Sequence, residues 1–382
     1  MEITRLETLA APAGGYRDFL VCRVHTDEGI VGIGEPYPVG PHEAVAAAIR
    51  DFESWIVGRD PRDITGIWHH LYAHSRFPGG SVVNAAISGI EHALWDISGK
   101  AAGVPVYRLL GGKCRDRIRV YQGIGGDTPA ACAEQARALL ERYEHTALKM
   151  APMPPQSAEL PWGAVLRGAA ARLAAVREAV GPDVDIGLDP HAQLFEPARA
   201  LELADAVAPY RPFFFEEPIR PENVDALAKL SQKIRIPIAT GENLYTTFGF
   251  REVLEKQAAD IVQPDVCICG GLLEMKKIAA LAEAHYVSVA PHNPCGPLAT
   301  AVNVHFAAGT HNFLILEYAA DDRSPRRDVL REPIRLRHGY LDLPTAPGLG
   351  VELNEEFVRA DRPMRNWHRA FAVRPDGAPA FI

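Results

Sequence analysis

Three acidic residues recur at nearly equal steps along the middle of this 382-residue chain, each where an apolar, strand-like run gives out. Asp189 closes Val-Asp-Ile-Gly-Leu-Asp (184–189), Glu216 follows Pro-Phe-Phe-Phe (212–215), and Glu242 follows Ile-Pro-Ile-Ala-Thr-Gly (236–241). Steps of 27 and 26 residues are the length of one strand plus one return helix. Successive strand ends of a β/α barrel open on one face, so this spacing predicts that the three carboxylates converge. Unpaired, they would repel one another strongly unless a cation held them. An all-oxygen set suits a hard divalent ion such as Mg²⁺, so the leading expectation is a metal-assisted enzyme.

The surrounding pattern supports a barrel. Strand-like runs fall near 118–123, 146–150, 184–189, 211–216, 236–241, 260–264, 286–291 and 312–317. Amphipathic stretches lie between most of them, clearest at 165–180 and 272–285. Repeated β-then-α grammar predicts an α/β fold with a (β/α)₈-type TIM barrel rather than an open doubly wound sheet. No Gly-x-Gly-x-x-Gly follows the first barrel strand, which lowers a dinucleotide-binding reading. Ahead of the barrel, residues 18–35 alternate around Asp27-Glu28-Gly29, a turn signal that predicts a hairpin. Helical spacing follows at 42–58 and 83–102. The expected division is an α+β unit over 1–115, the barrel over 116–325, and a tail over 326–382. That tail carries a short hairpin near 334–343 and returns to the first unit.

Bulk properties exclude several classes. The formal charge is −8 and no Lys/Arg cluster forms a phosphate-tracking face, so nucleic acid is not an expected partner. An anionic small substrate stays open, because a bound divalent ion sets the local field. Cys22, Cys114, Cys132, Cys267, Cys269 and Cys295 form no Cys-x-x-Cys pair and read as reduced, mostly buried thiols. The first residues carry acids where a signal peptide needs basic ones, and no apolar run is long enough for a membrane span. A cytoplasmic protein is expected.

Further chemistry-bearing residues fall in the same register. Asp265 ends Ala-Asp-Ile-Val-Gln-Pro-Asp and His292 ends Val-Ser-Val-Ala-Pro-His, 27 residues apart. On neighbouring strand ends the carboxylate can fix the imidazole tautomer and raise its basicity, which makes His292 a candidate base. His191, two residues past Asp189, would share its orientation if the strand continued that far; otherwise it is a loop histidine. Glu317, after Phe-Leu-Ile-Leu, is either a raised-pKa hydrogen-bond donor to a substrate or a member of a rim ion pair. Lys149 either contacts a substrate carboxylate or the acid trio, or snorkels at the rim. Glu217 is expected to face away from Glu216, since strand neighbours point oppositely. A divalent ion, an Asp-supported His and a facing His suit removal of a proton next to a carboxylate, with loss of a β-hydroxyl as water.

The chain resembles the enolase superfamily, mandelate-racemase-like subgroup, over nearly its whole length. The first segment carries Thr-Asp-Glu-Gly-Ile-Val-Gly-Ile-Gly-Glu-Pro (26–36) and Gly-Val-Pro-Val-Tyr-Arg-Leu-Leu-Gly-Gly (103–112). The barrel carries Phe-Glu-Glu-Pro (215–218), Gly-Glu-Asn (241–243), Gln-Pro-Asp (263–265) and Ala-Pro-His-Asn-Pro (290–294), and the close is Pro-Gly-Leu-Gly-Val-Glu-Leu (347–353). Asp189-Pro190-His191 together with Ala-Pro-His-Asn-Pro resembles acid-sugar dehydratases of the galactonate type. The resemblance implies an enolase-type modified barrel, with Asp189, Glu216 and Glu242 as ligands of one Mg²⁺. It further implies His292, backed by Asp265, as the base, His191 as the acid that assists departure of the 3-hydroxyl, and Glu317 as a contact near the metal. The implied substrate is a small anionic sugar acid and the implied assembly a homo-oligomer. At the second lysine position of the racemases' Lys-x-Lys stands Ala151, which argues against racemisation by a Lys/His pair. Expected specificity loops cover 11–17, 37–41 and 72–80, with Arg17, Tyr37 and Arg76 as candidate substrate contacts. The alternatives are an epimerase, a sugar-lactone cycloisomerase, or a catalytically silent binding protein.

Overall fold

The computed structural model describes residues 1–13, 18–40, 42–74, 76–359 and 373–380. Arg17 lies outside them. The first unit is a three-stranded antiparallel sheet, β1 (Ile3–Pro12), β2 (Asp18–Thr26) and β3 (Val31–Gly34), packed on α1 (His42–Ile56), α2 (Ile64–Ala73) and α3 (Ser81–Ala102). The hairpin expected over 18–35 is β2–β3; β1 and α2 were not foreseen. Small residues let α3 press against β3. A Cβ on Gly32 or Gly34 would collide with the backbone oxygens of Ala93 and Gly89, which accounts for the Gly-Ile-Gly of the first motif. Gly103, left-handed at φ 68°, ends α3, and the one-turn α4 (Val106–Leu109) follows.

Eight parallel strands then alternate with helices. The strands are β4 (Arg117–Ile124), β5 (Ala147–Met150), β6 (Asp185–Leu188), β7 (Phe215–Glu216), β8 (Ile238–Thr240), β9 (Ile261–Val262), β10 (Ser288–Val289) and β11 (Leu316–Tyr318). The helices between them are α5 (Pro129–Tyr143), α6 (Trp162–Val180), α7 (Pro197–Val207), α8 (Val224–Ser231), α9 (Thr246–Glu255), α10 (Gly271–Ala284) and α11 (Pro297–Ala308). Thr128 and Asn223 cap α5 and α8 by accepting from the amides of Ala131 and Ala226. Neighbouring strands pair in order from β4 to β10, and β11 returns to pair with β4. A parallel bridge, Val289 to Phe313, joins the remaining edges, so the barrel is closed. Each strand run read from the sequence contains its observed strand or overlaps most of it.

Beyond β11 the chain forms a 3₁₀ turn (Arg326–Val329) and a hairpin, β12 (Leu336–Arg337) with β13 (Tyr340–Asp342), which adds antiparallel to the start of β4. Residues 348–359 then dock on the first unit: Val106 N donates to Gly348 O, Leu349 N to Asp96 Oδ1, and Ala10 and Arg359 exchange backbone hydrogen bonds. His305 on α11 bridges the same seam, with Nδ1 accepting from Tyr107 N and Nε2 donating to Leu349 O. Two buried glutamates of the first unit close helix ends of the barrel. Glu35 accepts from Gly296 N and Ala299 N at the start of α11, and Glu91 from Leu272 N and Leu273 N at the start of α10. Among the described residues, no helix is long and apolar enough to cross a membrane.

Candidate active site

Strand alternation builds the site in two layers. A buried floor inside the barrel comprises Tyr121, Ala147, Phe214, Ala239, Ile261, Ala290 and Ile315. Two residues beyond five of these stand Lys149, Glu216, Gln263, His292 and Glu317. Gly187 belongs with the floor, since a Cβ there would strike the Phe214 ring, and Asp189 lies two residues further on. The fifth barrel strand, β8, breaks phase: Glu242 is three residues past Ala239. Gly241, left-handed at φ 133°, sits at the break, a conformation that disfavours any side chain.

Asp189, Glu216 and Glu242 each present a carboxylate oxygen, and the three lie within 4.8 Å of one another. Asp189 and Glu216 are buried and Glu242 is partly exposed. Lys149 sits beneath them, with Nζ 2.7 Å from Glu216 Oε1, 3.1 Å from Asp189 Oδ2 and 3.3 Å from Glu317 Oε1. Gln263, given no role from the sequence, donates from Nε2 to Glu216 Oε2 at 2.8 Å. Its place two residues before Asp265 was the signal that could have found it. Glu217 turns the other way and accepts from Thr240 Oγ1 and Gly241 N.

On the Glu242 edge, His292 Nε2 is 3.6 Å from Glu242 Oε2, and His292 Nδ1 is 2.8 Å from Asp265 Oδ2. Cys267 N donates to the other Asp265 oxygen at 2.8 Å and fixes the carboxylate. Burial alone would pull the imidazole pKa down; the Glu242 charge, the Asp265 hydrogen bond and the Glu317 charge outweigh it and raise it to about 10. Tyr37 reaches over from the first unit and stacks on His292, with ring centroids 6.2 Å apart. Glu317 Oε2 accepts from Asn293 N at 2.9 Å, and its carboxyl is held low, against burial, by Lys149 and His292.

On the opposite edge, His191 Nε2 is 3.2 Å from Asp189 Oδ2. It arrives by a different route from strand continuation. The strand stops at Leu188, and His191 and Ala192 are both left-handed, at φ 54°, in a turn stabilised by His191 N donating to Asp189 Oδ1. Beside it a cleft of about 250 Å³ opens between Ala151, Met153, Gln156, Asp189, His191 and Gln193. Arg76 is exposed, and among the described residues it makes no hydrogen bond or ion pair.

The donor set fits a divalent cation. Five carboxylates (Asp189, Glu216, Glu242, Asp265 and Glu317) crowd the strand ends around Lys149 and His292. Burial and the Asp189 charge push Glu216 well above the usual carboxylate range, so without added positive charge the trio resists full ionisation. Asp189 Oδ2 is buried and lacks a hydrogen bond of acceptable geometry. A hard ion coordinated by all three would relieve each of these features.

A two-layer parallel barrel, a covering α+β unit, and acids at three successive strand ends facing an Asp–His pair define an enolase-type enzyme. Residues 8–111 match the mandelate racemase / muconate lactonizing enzyme N-terminal domain, and residues 131–357 match the enolase C-terminal domain-like family. The chain belongs to the mandelate racemase / muconate lactonizing enzyme family of the enolase superfamily. It is 39% identical to a D-galactonate dehydratase of Variovorax paradoxus and 37% identical to one of Ralstonia nicotianae, each alignment covering all of both chains. Among solved structures, an enolase from Agrobacterium radiobacter is 40% identical over the whole of both chains with a TM-score of 0.94. Its galactarate dehydratase assignment is provisional, and it holds sodium and L-malate.

Proposed function

We propose that this chain is a Mg²⁺-dependent sugar-acid dehydratase acting on a galactonate-like aldonate. The single observation that carries it is the placement of two histidines on opposite edges of one acidic trio: His292 against Glu242 and His191 against Asp189. The full-length D-galactonate dehydratase relatives support the substrate class.

Asp189, Glu216 and Glu242 would hold the ion. Bound there, Mg²⁺ would supply positive charge beside the substrate carboxylate and make the neighbouring C–H bond acidic. Asp265 keeps a proton on His292 Nδ1. With positive charge added at the trio, the Glu242 and Glu317 carboxylates would no longer hold Nε2 protonated, which would free it to accept the α-proton. His191 gives a proton to the 3-hydroxyl, which leaves as water, and the resulting enol becomes a 2-keto-3-deoxy acid. Lys149 orients the carboxylate end of the substrate. Glu317 is an ion-pair partner of Lys149 with a lowered pKa, not the raised-pKa donor that was one of its two readings, and it positions that lysine beside the metal ligands. Tyr37 shields the face of His292. Arg17 and Arg76 remain candidate contacts to the distal hydroxyls. The division of labour follows the chain: a covering unit over 1–115, the catalytic barrel over 116–325, and a tail from 326 whose residues 348–359 secure the cover.

The direct test incubates purified protein with Mg²⁺ and a panel of aldonates and aldarates, followed by semicarbazide detection of 2-keto-3-deoxy products. Silence across both classes overturns the proposal. A product of unchanged mass would instead indicate an epimerase or cycloisomerase. Turnover of aldarates but not aldonates would favour the second reading, a dicarboxylic substrate, which the L-malate in the Agrobacterium structure supports.

A further inference from the structure

The strand ends that carry Asp265 and His292 also bring two thiols together. Cys267 stands two residues past Asp265 and Cys295 three past His292, so folding of adjacent strands joins positions 28 residues apart. Cys267 Sγ, Cys295 Sγ and an Asp265 carboxylate oxygen lie within 4.8 Å of one another, and all three residues are buried. The nearest cysteine in sequence, Cys269, is not part of this group; its Sγ donates to Gly271 O. Tetrahedral Zn²⁺ with sulfur bonds of about 2.3 Å holds its sulfurs about 3.8 Å apart, so atoms that lie within 4.8 Å of one another need close by no more than roughly 1 Å. Ligand softness separates the two groups in this barrel: the oxygen trio suits Mg²⁺, whereas a dithiol with one carboxylate suits Zn²⁺ or Cd²⁺.

We propose that Asp265, Cys267 and Cys295 form a second, inhibitory site for a thiophilic divalent cation. Binding forms two metal–sulfur bonds and one metal–oxygen bond and releases the two thiol protons to solvent, with no change of oxidation state. The same carboxylate orients His292 through a 2.8 Å hydrogen bond, so a cation that engages it loosens the imidazole. The inhibitory consequence rests on the dehydratase function proposed above; the site itself does not. Because both sulfurs are buried, uptake requires local opening, and occupancy is read after equilibration.

The test uses full-length protein carrying Cys114→Ser, which removes the exposed thiol, with a non-thiol reductant and excess Mg²⁺. Titration with Cd²⁺ should give sulfur-to-cadmium charge-transfer absorption that saturates at one equivalent and disappears in both Cys267→Ser and Cys295→Ser. Cys→Ala versions, checked by thermal melting, guard against a folding defect. An undiminished band in the Ser and Ala variants of either cysteine, or no band in the parent, overturns the site. In the activity arm, Zn²⁺ should inhibit the cysteine variants at least tenfold less than the parent. Equal inhibition would place the effect at the acid trio and overturn the inhibitory role. If the protein proves inactive on every sugar acid, the dehydratase proposal fails while the absorption band still decides the metal site.

Discussion

Asp265 Oδ2 lies 2.8 Å from His292 Nδ1, and the same carboxylate is fixed from behind by the amide of Cys267. Nδ1 is therefore kept protonated, and Nε2 faces the acid trio. Asp265→Asn preserves shape but removes the charge that favours this state. We expect kcat to fall roughly 10²- to 10⁴-fold, the usual scale of a positioned acid–base group. KM should change much less, since Asp265 binds no substrate; a KM effect with unchanged kcat would refute the assignment.

The two histidines should separate into two half-reactions. His292→Asn should abolish both dehydration and solvent deuterium entry at C2 of the substrate. His191→Asn should suppress dehydration while leaving C2 exchange measurable, because proton removal precedes hydroxyl departure. Retained exchange in His292→Asn would transfer the base role to another residue.

Removal of divalent ions should destabilise the fold, since Asp189, Glu216 and Glu242 then face one another without a common counter-charge. Mg²⁺ at a hundred times its dissociation constant should add about 2.7 kcal/mol, seen as a rise in Tm over a chelator-treated sample. Glu216→Gln should abolish most of that response, and an unaltered Mg²⁺ shift in this variant would exclude Glu216 as a ligand.

His305 provides a pH test away from the site. Burial drives its pKa down to about 4 from an unfolded value of 6.5. Its contribution to stability is therefore complete above pH 6.5 and is lost as pH falls towards 4, because the unfolded chain takes up the proton first. The stability difference between the parent and His305→Gln should shrink over this window by up to about 3 kcal/mol, from 1.36 kcal/mol per unit. Parallel pH–stability curves for the two proteins would contradict a neutral, buried imidazole.

Much of the barrel was legible because its strands are short apolar runs at regular spacing, and a carboxylate at a strand end leaves a sharp mark. Parity then separated Glu216 from Glu217. The same parity pointed to Gln263, but an amide two residues before a conspicuous aspartate drew no attention. His191 was located by the wrong geometry: the strand stops short, and two left-handed residues bring the ring to Asp189. The strand β1 was missed because its Leu-Glu-Thr-Leu-Ala-Ala-Pro stretch lacks clean alternation, being paired along one edge and buried towards its end. The strand adjacency that paired Asp265 with His292 also brings Cys267 near Cys295, but the two thiols sit two and three residues further on, in irregular chain beyond the strand ends where alternation gives no direction.

Glu35 and Glu91 have an implication for engineering. Each extends from the covering unit to terminate a helix of the barrel. A chimera that borrows its lid from a relative must import acids at both places, or two pairs of amide hydrogens are left dry inside the seam. Transplanting specificity in this enzyme is therefore a matter of matching these buried acceptors before matching the loops.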